Sequence, residues 1–144
     1  MIGDIFDAIS ARLHGVFGSE YEIYADRDIG QGLTEPCFFI ALIQSEQIRK
    51  IGGRYYCPSA FDVHYFPRAD RDNKELHDVS ATLFSALEFV ETPGGDLIRG
   101  TSMRAEVADG VLHFFVSYNM YLLRLEERGL DAMDHLRMEG GVTT

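Results

Sequence analysis

Two cysteines, Cys37 and Cys57, and the alternating pair Asp62 and His64 are the residues from which a nucleophilic site could be built. A thiol becomes a nucleophile when a base beside it takes its proton and a carboxylate holds that base in place. Asp62 and His64 lie two apart in a run of strand character, so they share one side of that strand, which solvent alone could explain. Nothing beyond strand proximity joins them to either cysteine. Structural or surface thiols are therefore expected, with a small hydrolase using Cys57 or Cys37 kept as the reading from a different functional class.

Metal and cofactor chemistry find less support. Asp70, Asp72 and Asn73 resemble the start of a calcium loop, but Lys74 occupies the next alternate position and no glycine follows. Helix capping is the better use of Asp72, with Glu75 three residues on. His14, His64, His77, His113 and His135 are scattered without HxxxH or HxH spacing, so no metal site is expected. "PGGDLIRG" has neither a dinucleotide fingerprint nor a Walker lysine and precedes a strand, which makes it a hairpin turn. No catalytic residue, cofactor or metal ligand is assigned. Arg49, Lys50 and Arg54 gather in "IRKIGGR", either as a solvated loop or as a contact for an acidic neighbour.

The elements that would carry these residues follow from periodicity. Ile2, Ile5, Phe6, Ile9, Leu13, Val16 and Phe17 recur at helical spacing, and Gly18 ends that helix. "EYEIYAD" (20–26) reads as a short strand, and 26–36 as a loop. "CFFIALI" (37–43) is apolar on both faces, as in a central strand covered on two sides. Residues 54–67 resume strand character, broken or bulged at Pro58. Leu76, Val79, Leu83 and Leu87 form the stripe of a second helix. Residues 97–108 and 111–125 should pair through Asp109-Gly110, the type I′ dipeptide. "LDAMDHLRM" (130–138) fits a short helix, and "EGGVTT" a mobile end.

The order α-β-β-β-α-β-β predicts an α+β domain over 1–125, with two helices packed on one face of a mainly antiparallel sheet, followed by a C-terminal extension at 126–144. At 144 residues one core suffices. No apolar run approaches the roughly 20 residues of a membrane helix, and the acidic N-terminus does not read as a signal peptide, so a soluble intracellular protein is expected. The net charge of −10 repels phosphate and argues against ordinary nucleic-acid binding.

"QGLTEPCFFI" (31–40), "YFP" (65–67) and "GDLIRGTSMRAEVADGVLHFFVSYN" (95–119), with the first helix and "YEIYAD", resemble the small phage tail terminator family of prophages in Gram-positive bacteria. The likeness runs in order over about residues 2–125. It implies a structural virion protein that caps the tail tube as a hexameric ring, stops its polymerisation and offers the head a docking surface. The implied partners are further copies of the chain, the tail tube protein and a head-completion protein; no membrane is involved. DNA would pass through a lumen whose acidic charge does not hold it. The implied location is the host cytoplasm during assembly and then the virion tail. A head-completion or head-tail connector protein is the nearest alternative.

One face remains to be covered. Between 111 and 125 the even positions are apolar, but Val111, Phe115, Tyr121, Leu123 and Leu125 make the odd face apolar at both ends. Phe115, Tyr121 and Leu123 are expected either to meet a neighbouring subunit or the tail tube, or to lie under a returning C-terminal segment through Leu130, Met133 and Leu136.

Overall fold

The structure, a computed structural model, describes residues 2–25, 36–67, 73–124 and 136–139. Helix α1 spans Ile2–Phe17 and buries Ile5, Ala8, Ile9 and Leu13, the i, i+3, i+4 and i+8 positions of one stripe. Gly18 stops it in the left-handed region (φ 87°), where its amide donates to the His14 carbonyl at 3.0 Å. Helix α2, Asn73–Ala86, buries Leu76, Val79 and Leu83. Its first turn is tied to the sheet by the Tyr65 hydroxyl, which donates to the Glu75 carboxylate. Its last turn meets α1 where Arg12 Nε donates to the Ala86 carbonyl at 2.9 Å, a cation on the negative end of the helix.

The strands are β1 (Glu22–Ala25), β2 (Cys37–Ser45), β3 (Ile48–Arg49), β4 (Arg54–Phe66), β5 (Phe89–Glu91), β6 (Leu97–Ala108), β7 (Val111–Arg124) and β8 (Leu136–Glu139). They are ordered β1-β2-β4-β7-β6-β5, with β3 beside β4 and β8 beside β7. Among the described residues only β1 and β2 pair in parallel, and the other pairs are antiparallel. The fold is α+β, and its long elements follow the expected order. Both helices pack on one side of the sheet, where Phe38, Ile40, Phe61, Val63, Tyr65, Leu112, Phe114, Val116, Tyr118 and Met120 complete the core.

Several expectations are met in detail. Asp109 and Gly110, at φ 54° and 76°, join β6 to β7 with Ala108 opposite Val111. Residues 92–96 turn between β5 and β6, closed by the Gly95 amide on the Thr92 carbonyl at 2.9 Å. Others are corrected. β4 runs unbroken through Pro58; it is the strand beside it that breaks, since β2 ends opposite Ser59 and β3 starts opposite Tyr56. A proline that cannot donate thus sits where no ladder donor is needed on that side. β2 is not covered by helices on both faces: beyond the core side, Phe39 and Ala41 are half-buried among strand neighbours and Ile43 is 53% exposed. Residues 136–139 form a strand and not part of a helix, because they complete the ladder of β7 past the point where β6 ends. Residues 26–35, expected as a loop, Asp70, Asp72, Leu125, Leu130, Met133, His135 and residues 140–144, expected as a mobile end, lie outside the described residues.

Candidate functional site

The sheet has a second face, and among the described residues no helix or strand lies over it. Alternation along β4 and β7 sends Arg54, Tyr56, Pro58, Ala60, Asp62 and His64 to that side, and Val111 through Leu123 at odd numbers. The register then lays them in rows. One row runs Phe39, His64, His113, Glu106; the next runs Ala41, Asp62, Phe115, Arg104. Polar residues Ser117, Thr101 and Asn119 fill the middle, with the Thr101 hydroxyl donating to the Ser117 carbonyl at 3.2 Å. At the far end Ile48, Tyr56 and Tyr121 form a row beside the pair Arg54 and Leu123.

The six residues expected at an interface all find a place on or near this face. Phe115 is half-buried under the Arg104 guanidinium, 4.0 Å above its ring, so its own chain already roofs it. Tyr121 packs on Tyr56 with ring centres 5.0 Å apart, and Leu123 is half-buried beside them. Arg49 and Lys50 are exposed in the β3–β4 hairpin, and Arg54 lies directly across from Leu123. The basic group and the aromatic pair, separate in sequence, therefore meet at one end of the sheet. Ile51, 92% exposed in the hairpin's short 3-10 turn, adds apolar surface there. Of the C-terminal segment, β8 pairs in the plane of the sheet beside Tyr121–Arg124 and does not lie across the face.

The end of the face away from Tyr56 and Tyr121 holds a group that linear spacing did not reveal. Asp62 Oδ2 is 3.1 Å from His64 Nε2 and 3.1 Å from His113 Nδ1. Burial opposes the charge on Asp62, but hydrogen bonds from His64 and His113 and the charge of the imidazoles outweigh it and hold the carboxyl below the usual range. His113 reaches this site only through the β4–β7 register, where it lies opposite His64. The sole sequence sign was Asp62 and His64 alternating on a strand destined to pair with the one carrying His113.

The thiols are elsewhere. Cys57 faces the core, opposite Met120, on the other side of β4 from Asp62 and His64, and burial pushes its thiol up. That is the reverse of what a nucleophile needs. Cys37 is fully buried as well. Among the described residues, no helix is long and apolar enough to cross a membrane.

The open face of the sheet thus carries aromatic, aliphatic and basic side chains, and the two thiols lie on its other side or in the core. The family model described as phage tail terminator protein matches residues 4–129. The chain belongs to the phage tail terminator family. Terminators of this family are structural tail proteins, and the match spans both helices and the sheet from β1 through β7. No curated protein matches this terminator. Eleven solved chains do, and one of them is 14% identical over 80% of this chain and 92% of its own, at a TM-score of 0.40. That likeness is too distant to carry an argument.

Proposed function

We propose that this terminator closes the phage tail tube as one subunit of a hexameric ring and presents the surface on which the filled head docks. The family match over residues 4–129 carries the reading. The open face supplies the contacts: Ile48, Tyr56, Tyr121 and Leu123, flanked by Arg49, Lys50 and Arg54, meet a neighbouring subunit or the tube, while Phe115 lies deeper under Arg104. A head-to-tail ring needs two different surfaces on each subunit. The exposed Phe89 and Leu97, on β5 and β6 at one edge of the sheet, offer the second. The net charge of −10 suits a lumen through which DNA slides without adhering. Until assembly the subunit resides in the host cytoplasm.

Mass by light scattering over a concentration series, with negative-stain images, tests the ring directly. Wild-type protein, alone or mixed with isolated tail tubes, is expected to form rings with a central hole, and Tyr121→Glu to remain a folded monomer. A Tyr121→Glu variant that assembles normally removes Tyr121 from the interface. Wild-type protein that neither forms rings nor binds tube ends overturns the capping role.

A further inference from the structure

The Asp62, His64 and His113 group has an unusual hydrogen-bond arrangement. His64 Nδ1 lies 3.3 Å from the Phe39 carbonyl oxygen, which can only accept, so this nitrogen carries a proton. In a neutral imidazole that leaves a bare lone pair on Nε2. Nε2 lies 3.1 Å from a carboxylate oxygen, so that contact needs a positive centre, either the second proton of an imidazolium or a metal ion. The same oxygen also faces His113 Nδ1, while the other, Oδ1, is buried without a partner. Two imidazoles crowd one oxygen and its twin goes unused. A positive centre among the three side chains removes the conflict, and a buried unpaired carboxylate oxygen is the kind of group that an ion satisfies.

The geometry fits a metal better than a second proton alone. One donor atom from each of the three residues lies within 4.8 Å of the others. The bond from His64 Nδ1 to a backbone carbonyl is the outer contact by which metal-binding histidines are oriented. The ring planes are held as well: His64 stacks on Phe66 at 22° and His113 on Phe115 at 13°. The nearby cation, Arg104, is turned to Glu106 at 3.2 Å, and Glu106 lies opposite His113 in the β6–β7 register. Two imidazole nitrogens and one carboxylate oxygen are the donors of zinc and its neighbours, whereas calcium and magnesium take oxygen.

We propose that Asp62, His64 and His113 bind a divalent transition ion of the zinc kind on the open face of the sheet, with its remaining position turned to solvent. The His64 and His113 side chains, 19% and 25% exposed, leave the ion a way in. Bound there, it links β4 to β7 across the strand pair. The site does not depend on the terminator reading, and its failure would leave that reading untouched.

Cobalt(II) added to the full-length, chelator-treated protein is the probe. Saturation at one ion per chain, with the intense visible bands of low-coordinate cobalt and their loss on adding zinc, is the expected result. His113→Gln and His64→Gln should each abolish the bands, while His14→Ala with His77→Ala should keep them. Should either glutamine variant fail to fold, zinc added to 15N-labelled wild-type protein gives the same answer through the ring-nitrogen shifts of His64 and His113. Absence of saturable binding, or ring shifts confined to other histidines, overturns the proposal.

Discussion

Gly100→Ala should be among the most damaging single-methyl changes in this chain. A Cβ at Gly100 would lie 2.7 Å from the Leu87 carbonyl oxygen, 2.8 Å from Val116 Cγ2 and 3.3 Å from Tyr118 Cε1. None of these neighbours can yield freely. The Leu87 carbonyl accepts the Tyr118 hydroxyl at 2.6 Å, and the Gly100 amide donates to the Glu88 carbonyl at 2.6 Å, so the end of α2 is bonded at this spot to both β6 and β7. Overpacking of this kind costs about 1–3 kcal/mol. If the methyl pushes the Leu87 carbonyl away from Tyr118, a buried donor is stranded at a further cost of about 1–3 kcal/mol. Alanine's smaller entropy loss in a strand offsets about 0.5–1 kcal/mol. The net is about 3 kcal/mol, which lowers a urea midpoint by about 1.5 M at a slope of about 2 kcal/mol/M. Gly15→Ala, in α1 with nothing within 4 Å of the added carbon, is the control and should gain up to about 1 kcal/mol. A Gly100→Ala midpoint within about 0.3 M of wild type, at unchanged slope, would refute the close-approach argument.

Two further outcomes concern buried titratable groups. Burial holds the phenols of Tyr65 and Tyr118 well above their ordinary range, helped at Tyr65 by the Glu75 carboxylate. Their protons are shed by the unfolded chain first, so the stability they contribute is intact below the unfolded value of about 10 and declines as pH rises beyond it. Urea midpoints should fall from there upward, and at least two of the seven tyrosines should give no tyrosinate absorbance while the fold persists; a full tyrosinate signal from folded protein would contradict this. Cys57, its thiol raised by burial, should react with iodoacetamide at neutral pH only slowly, and much faster in urea. Rapid alkylation of Cys57 in the native state, located by mass spectrometry, would reopen the nucleophile reading.

What could be read from the sequence was what local rules decide. Ile5, Ile9 and Leu13 at helical spacing, closed by Gly18, give α1 its limits, and Asp109-Gly110 sets the β6–β7 register without help from elsewhere. β3 and β5, two and three residues long, are too short to show a period. They exist because β4 and β6 offer them ladder bonds. The same holds for β8, whose residues suit a helix locally but complete β7. Parallel pairing of β1 with β2 is a matter of chain crossing and leaves no mark in either segment. The candidate surface was half legible: Phe115, Tyr121 and Leu123 announced themselves by breaking the polar alternation, but Arg104 above Phe115 and Tyr56 beside Tyr121 come from other strands. His113 joined Asp62 for the same reason.

The margins of the sheet bear on how such a subunit avoids associating wrongly. A row of backbone amides with no strand beside it is a template for amyloid-like stacking. The outermost strands, β1 and β5, are only four and three residues long. β6 is long, and among the described residues Arg104–Ala108 has a strand on the β7 side alone. That margin is interrupted by the register shift after Thr101, with Ser102 at φ 52°, and carries Arg104 and Glu106. Indiscriminate joining through backbone bonds is thereby blunted, while side chains on the open face stay available. Under the capping role proposed above, that separation would keep the subunit single until a growing polymer needs its last layer.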